Sequence, residues 1–235
     1  MSKTIDFNNS FSPDEFSSLS ISCTAANLSI APSKDDMAHI ECKNVPEGSY
    51  AEVSGGTLRV KVKEPDILDK ILNSLFSETS CRIFLPGKLS DSFGSEEKVY
   101  DDVSVDIGVG NGKITGVSCV SASVRTGAGN CSISEMNVQK QVKLECGVGN
   151  ASLRSFSTGV LEIRTGTGNV DVDGDVCGLD IRGGVGNICF DGRVDGDIDV
   201  KGSVGNITLR LHDRHEGEYK LRTEQGMGRL NVEYV

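Results

Sequence analysis

The chain has 235 residues, 28 of them glycine, five proline and none tryptophan, so it is neither collagen-like nor a proline-rich disordered chain. Its formal charge of −10 argues against a nucleic-acid ligand, which would need Lys and Arg to neutralise phosphates, and against docking on an anionic membrane surface. Aromatic residues make up only 5%, which suits a narrow interior stacked from aliphatic side chains.

The N-terminal stretch 1–15 carries no apolar run of signal-peptide length and no part of the chain approaches a membrane span, so a cytoplasmic protein without direct membrane insertion is expected. Residues 1–15 read as a tail or leading strand, and 16–235 as a single elongated domain. Within it, "LSISCTAANLSI" places Leu19, Ile21, Leu28 and Ile30 around Asn27 in period-two alternation, and "VSGGTLRVKV" gives a similar pattern around Thr57. Residues 64–76, "EPDILDKILNSLF", put Ile67, Leu68, Ile71, Leu72, Leu75 and Phe76 on one face of a short amphipathic helix, with Pro65 near its start. The polar stretch 86–102 reads as a loop.

Regular coils are expected from about 101 to 235. The strings "GAGN", "CGVGN", "GTGN" and "GVGN" recur, and the anchors Asn111, Asn130, Asn150, Asn169, Asn187 and Asn206, followed by Arg229, are 18–23 residues apart. Eight residues before them stand Val103, Ala122, Val142, Leu161, Leu179, Ile198 and Leu221. Three after stand Ile114, Ile133, Leu153, Val172, Phe190, Leu209 and Val232. Two strands joined by a Gly-Asn corner, repeated about every 19 residues, predict an all-β parallel β-solenoid whose like residues stack in ladders about 4.8 Å apart. Glycine supplies the positive φ of a tight corner, and Asn tolerates that region while its carboxamide bonds the backbone or its copy one coil away. The anchors are therefore a structural corner ladder. The Asn-x-Ser/Thr strings at Asn130, Asn150 and Asn206 follow from this corner rather than from glycosylation.

Outward positions alternate in charge. Four after the anchor run Thr115, Ser134, Arg154, Asp173, Asp191 and Arg210; five before run Asp106, Arg125, Glu145, Arg164, Arg182 and Lys201. Arg154 over Asp173, and Asp191 under Arg210, read as cross-strand ion pairs. Asp173 and Asp191 on adjacent coils are also the weak candidates for a calcium site, with Asp175, Asp195 and Asp197 nearby, although the GGxGxDxUx calcium repeat is absent. His212 and His215 sit three apart in a terminal loop. The eight cysteines form no CxxC pair and read as reduced, mostly buried thiols. Cys119 and Cys177 count to one ladder position three coils apart, too far for a bridge, and Cys189 is a surface thiol.

No catalytic constellation, cofactor motif or nucleotide loop emerges, since each glycine turn leads into a strand rather than a helix N-terminus. The favoured function is a non-enzymatic scaffold or binding module, with an unknown protein partner or self-association through the terminal coil "RLNVEYV". The alternatives are a carbohydrate-active enzyme or calcium-binding domain on a β-helix, and a cytoplasmic sensor domain. The ordered pattern "LSIS…NLSIAPS", "CRIFLPGK", "VKLECGVGNASL", "LDIRGGVGNICF" over residues 16–235 resembles the bacterial putative-adhesin family of β-solenoid domains, the DUF4097 type. That resemblance implies a right-handed β-helix-like fold, no established activity, no catalytic motif to carry over, and relatives that are often exported.

Overall fold

The computed structural model describes residues 4–64, 79–87, 97–213 and 220–235. The expected helix at 64–76 lies outside them except for Glu64.

The repeat folds as one coil per anchor. Cys131–Val148, Ala151–Thr167 and Val170–Val185 are each nearly continuous strand. They pair in parallel, with Leu144 on Ile163 and Ile163 on Ile181. Each coil bends twice. The first bend is the Gly-Asn corner. The second falls five residues later, where Gly116, Glu135 and Ser155 take left-handed φ of 65°, 52° and 50°. Alternate residues face inward, so Ile133, Leu144, Leu153, Leu161, Ile163, Val172 and Ile181 are fully buried in one continuous aliphatic core. Burial of these ladders is the dominant favourable term, at about 25 cal/mol per Å² of apolar surface.

Coil length varies without loss of register, because insertions and deletions are absorbed at bends. Coil 130–150 has an extra residue at Gln139–Lys140, where pairing shifts. Coil 169–187 lacks one, so Ser155 has no counterpart and Phe156 pairs with Gly174. The ladder realigns before the next anchor, as a β-bulge allows. This deletion corrects the expected Cys119–Cys177 ladder: Cys119 aligns with Val138, Thr158 and Val176, and Cys177 is pushed one place out to the exposed face.

Stacking order departs from chain order at the N-terminal end. Ser18–Ala25 lies between Thr57–Val62 on one side and Val99–Val109 on the other, parallel to both. Asn27–Pro32 is likewise sandwiched between Ser80–Leu85 and Gly112–Thr115. The register sets Leu58 on Leu19 and Val60 on Ile21. Thr57 is therefore the first residue of a strand stacked on Ser18–Ala25, and not the corner expected for it. The expected loop at 86–102 is also shorter, since Val99–Asp102 already belongs to the strand Val99–Val109. Tyr100 there is buried, stacks on Phe16 with centroids 6.0 Å apart, and donates its hydroxyl to the Pro86 carbonyl at 3.0 Å. Burial raises that hydroxyl's pKa above the ordinary value.

Antiparallel strands close this end. Ala38–Pro46 pairs with Ser80–Leu85, Thr4–Phe11 pairs with Ala38–Pro46, and Tyr50–Ser54 pairs with Thr57–Val62. At the other end the last coil is Leu221–Met227 and Leu230–Tyr234, each paired on its inner side.

Candidate functional site

Four surfaces have enough repeated or concentrated chemistry to bear function: the Gly-Asn corner, the charged ladders, a groove at the second bend, and the last coil.

At the corner, the glycine before each anchor is obligatory. At Gly110, Gly129, Gly149, Gly168, Gly186, Gly205 and Gly228 φ lies between +132° and +143°. A Cβ there would also overlap the carbonyl oxygen of the corner beneath, far inside the 3.0 Å that real Cβ contacts keep. The motif's other glycine is less strict, since Thr24 and Ser203 occupy its position. The anchors then form one hydrogen-bonded chain. The backbone N–H of Asn111 donates to Asn27 Oδ1, and each later anchor to the one before, through Asn130, Asn150, Asn169, Asn187 and Asn206 to Arg229, at 2.9–3.1 Å. The Nδ2 groups of Asn111, Asn130 and Asn150 bond the same oxygens at 3.1–3.2 Å. Each carboxamide oxygen thus satisfies a corner N–H that the strand ladder cannot reach, leaving it committed to the backbone rather than to a ligand. We expect Asn150→Ala to lose about 1 kcal/mol and lower the melting temperature by about 2–4 °C, read by thermal denaturation.

Between the glycines the corner exposes Val109, Val148, Val185 and Val204, with Met227 at the end, as an apolar stripe down one edge of the stack. Beside it the charged ladders are neutralised in pairs: Arg125–Glu145 at 2.8 Å, Arg164–Glu162 at 2.6 Å, Arg182–Asp180 at 3.0 Å and Lys201–Glu224 at 2.8 Å. Arg125 and Lys143 hold the Glu145 carboxyl below its ordinary pKa, Arg125 being the larger cause. As these side chains are at least partly exposed, each pair is worth about 0.2–1 kcal/mol; Arg125–Glu145 and Lys201–Glu224 join adjacent coils and favour their register, whereas Arg164–Glu162 and Arg182–Asp180 each lie within one strand.

Asp173 and Asp191 are register partners on adjacent coils. Their surroundings differ. Asp191 is already met by His212 Nε2 at 2.6 Å and by the Arg210 guanidinium at 3.6 Å. Arg154, expected on Asp173, instead reaches diagonally to Asp171 at 2.9 Å. Asp173 turns to the groove. This concavity of about 740 Å³ is lined by Pro32, Gly116, Ser118, Asn137 and Ser157 and by the carboxylates of Glu97, Glu135, Asp173 and Asp175. Ser118 Oγ donates to Glu97, and Asp175 accepts the Arg193 N–H at 3.2 Å. Among the described residues no three His, Cys, Asp or Glu side chains converge as a metal set, and His215 lies outside them. We expect millimolar Ca²⁺ to leave the melting temperature unchanged; a rise of several degrees would show that the groove carboxylates gather around the ion.

The thiols differ by depth. Burial pushes Cys119 and Cys131 up to about 12. Cys189 is half-buried, and its pKa is raised by burial first and then by Asp171, which keeps it in the unreactive thiol form.

Among the described residues no helix is long and apolar enough to cross a membrane. No protein of curated function matches the chain. A putative adhesin from Bacteroides fragilis NCTC 9343 shares the fold, with a TM-score of 0.60, 14% identity and 98% coverage of both chains. A putative lipid binding protein from Parabacteroides distasonis ATCC 8503 aligns with a TM-score of 0.47 at 14% identity, covering 100% of this chain and 98% of its own. A putative adhesin from Parabacteroides merdae ATCC 43184 aligns with a TM-score of 0.44 at 12% identity, covering 98% of this chain and 96% of its own. The profile of the Toastrack DUF4097 family matches residues 16–234, and the chain, with its parallel coils of about 19 residues, belongs to that family.

Proposed function

We propose that the protein is a non-enzymatic binding scaffold, with residues 16–235 acting as one elongated unit that assembles with a second copy of itself through the last coil. The observation that carries this reading is the difference between the two ends of the stack. One is closed by antiparallel strands. At the other, the outer edges of Leu221–Met227 and Leu230–Tyr234 have no partner strand among the described residues, and Met227, Leu230, Tyr234 and Val235 are exposed. An unpaired, apolar strand edge is a template for another strand.

A second copy fits this edge by charge. Arg222 and Glu224 flank Thr223, so two copies paired antiparallel about Thr223 set each Arg222 opposite a Glu224. The non-enzymatic part is supported by the charged ladders, whose carboxylates are paired with Arg or Lys on the same or an adjacent coil rather than gathered with a base or nucleophile. The adhesin name of the Bacteroides fragilis protein agrees with a binding role, and the likeness to it is one of fold.

Light scattering on the purified chain tests this. The expected mass is twice the 25.0 kDa of one chain at high concentration, returning to one chain in the variant Met227→Glu with Leu230→Glu. A wild-type monomer at high concentration, or a dimer that survives the double variant, overturns the terminal-coil reading.

A further inference from the structure

The closed end contains a group that neither the repeat nor the binding role uses. Cys42 and Cys81 are direct partners across the antiparallel pair formed by Ala38–Pro46 and Ser80–Leu85. Both side chains face the core and are fully buried, and their sulfurs are 2.7 Å apart. Cys23, from the neighbouring coil, also contacts Cys81. The adjoining partners on the same face, Ile40 and Ile83, are fully buried too.

We propose that Cys42 and Cys81 are a disulfide-forming pair that locks the antiparallel cap to the first coil of the stack when the chain folds in the presence of a small-molecule disulfide. The geometry suits the bond. Directly opposed residues of an antiparallel ladder have Cα atoms about 4.5–5.5 Å apart, within the range a disulfide spans without backbone movement. The electrostatics favour a neutral product. Contacts with Cys23 and Cys42, followed by burial, raise the Cys81 pKa far above the ordinary thiol value, so this site disfavours the thiolates that a metal would require and accepts an uncharged S–S bond.

The same burial sets the order of events. Reaction needs a thiolate and access, so it takes place before Ala38–Pro46 docks or when it opens. One cysteine thiolate attacks a sulfur of the small disulfide, forms a mixed disulfide and expels one small thiolate. The other cysteine then attacks the protein sulfur of that mixed disulfide and expels the second. One S–S bond is broken and one is made. The two cysteines are oxidised by two electrons in total, and their two protons end on the two small thiols. Once the cap closes, the bond is shielded from reductant. The residues are 39 apart, and closing that span restricts the unfolded chain enough to raise the melting temperature by about 10 °C.

The test is to refold the full chain with oxidised glutathione or with excess dithiothreitol, then digest each without reduction for mass spectrometry. The expected result with glutathione is a cross-linked peptide joining Cys42 to Cys81, loss of two of the eight thiols, and a melting temperature about 10 °C above that of the dithiothreitol sample. Cys23→Ala should keep both signatures, and Cys42→Ala should lose both while retaining its β-sheet circular dichroism. Eight free thiols after oxidative refolding, or Cys81 joined instead to Cys23 or to glutathione, overturns the proposal.

Discussion

Replacing Gly168 by alanine is expected to cost at least about 4 kcal/mol and to lower the denaturation midpoint sharply, whereas Gly178→Ala is expected to be neutral or slightly stabilising. Both residues lie in strands or corners of the same coils, and the chemical change is the same. What differs is what the added Cβ meets. At Gly168 φ is +142°, and the new atom would overlap the Gly149 carbonyl of the coil beneath. An L-residue in that backbone region costs about 1–3 kcal/mol before any clash. Relieving the clash requires the two coils to separate by more than an ångström, and that stretches the Gly149 N–H bond to Thr167 and the Ala151 N–H bond to Asn169, at 2.8 and 2.9 Å. Neighbouring corners repeat the same contact, so no rotation of one corner transfers the strain to open space. At Gly178 the new atom would meet Val160 Cγ2 at 3.7 Å and the Asp197 carbonyl at 4.0 Å, ordinary contacts. Urea denaturation of the two variants reads the difference as a change in midpoint at constant slope. Equal losses at the two positions would show that coil spacing is not what selects glycine at the corner.

That corner is also the part of the molecule most legible in the sequence, because its causes are local. Positive φ, a close carbonyl and an unsatisfied N–H all act within a few residues, so Gly-x-Gly-Asn marks them wherever they occur. Phase was lost where the motif was absent. "TLRVKV" alternates in the same way before a corner as after one, and only its pairing with Ser18–Cys23 shows that Leu58 shares the ladder of Leu19 and Val103. Counting from an anchor also fails across a bend that has lost a residue, which is why Cys177 does not share the ladder of Cys119. Arg154 escaped its expected partner because a long side chain reaches diagonally, a choice that backbone register does not fix. The cap was illegible for a different reason. Apart from the local hairpin of Tyr50–Ser54 with Thr57–Val62, its strands pair antiparallel with segments tens of residues away, and nothing in "AHIECKNVP" repeats. The Cys42–Cys81 pair was hidden with it. The groove was likewise invisible as a unit, since it is assembled from the second bend of several coils, where the repeat tolerates the most variation in length.

Truncating Phe190 to alanine is expected to cost about 3–5 kcal/mol and to loosen the stack from one end only. Phe190 is fully buried, between Val172 and Leu209 in the ladder that follows the corner. Alanine there removes a large apolar volume from the narrow core, and the flanking aliphatic side chains are too short to fill it. In a stack each coil contacts chiefly its neighbours, so the lost interface energy stays local and the consequence depends on what lies beyond the defect. Beyond Phe190 toward the C-terminus stand Ile207–Leu211 and Leu230–Tyr234, with the exposed side chains of the last coil and, among the described residues, no antiparallel closure. Toward the N-terminus stand the long strands Ala151–Thr167 and Cys131–Val148 and finally the closed end. Hydrogen exchange on the Phe190→Ala variant should therefore show lost protection in 188–211 and 221–234, with 80–85 and 27–32 still protected at the wild-type level. A matching truncation at the closed end, Ile83→Ala, removes a fully buried side chain from a strand held on both sides, by Asn27–Pro32 and by Ala38–Pro46. Its loss should be shared by the whole stack as a lowered global midpoint, because Ser80–Leu85 is an interior strand paired along both edges and not one from which the stack frays. Uniform loss of protection in the Phe190 variant would mean that the coils unfold as a single cooperative unit, and that the difference between the two ends has no energetic consequence.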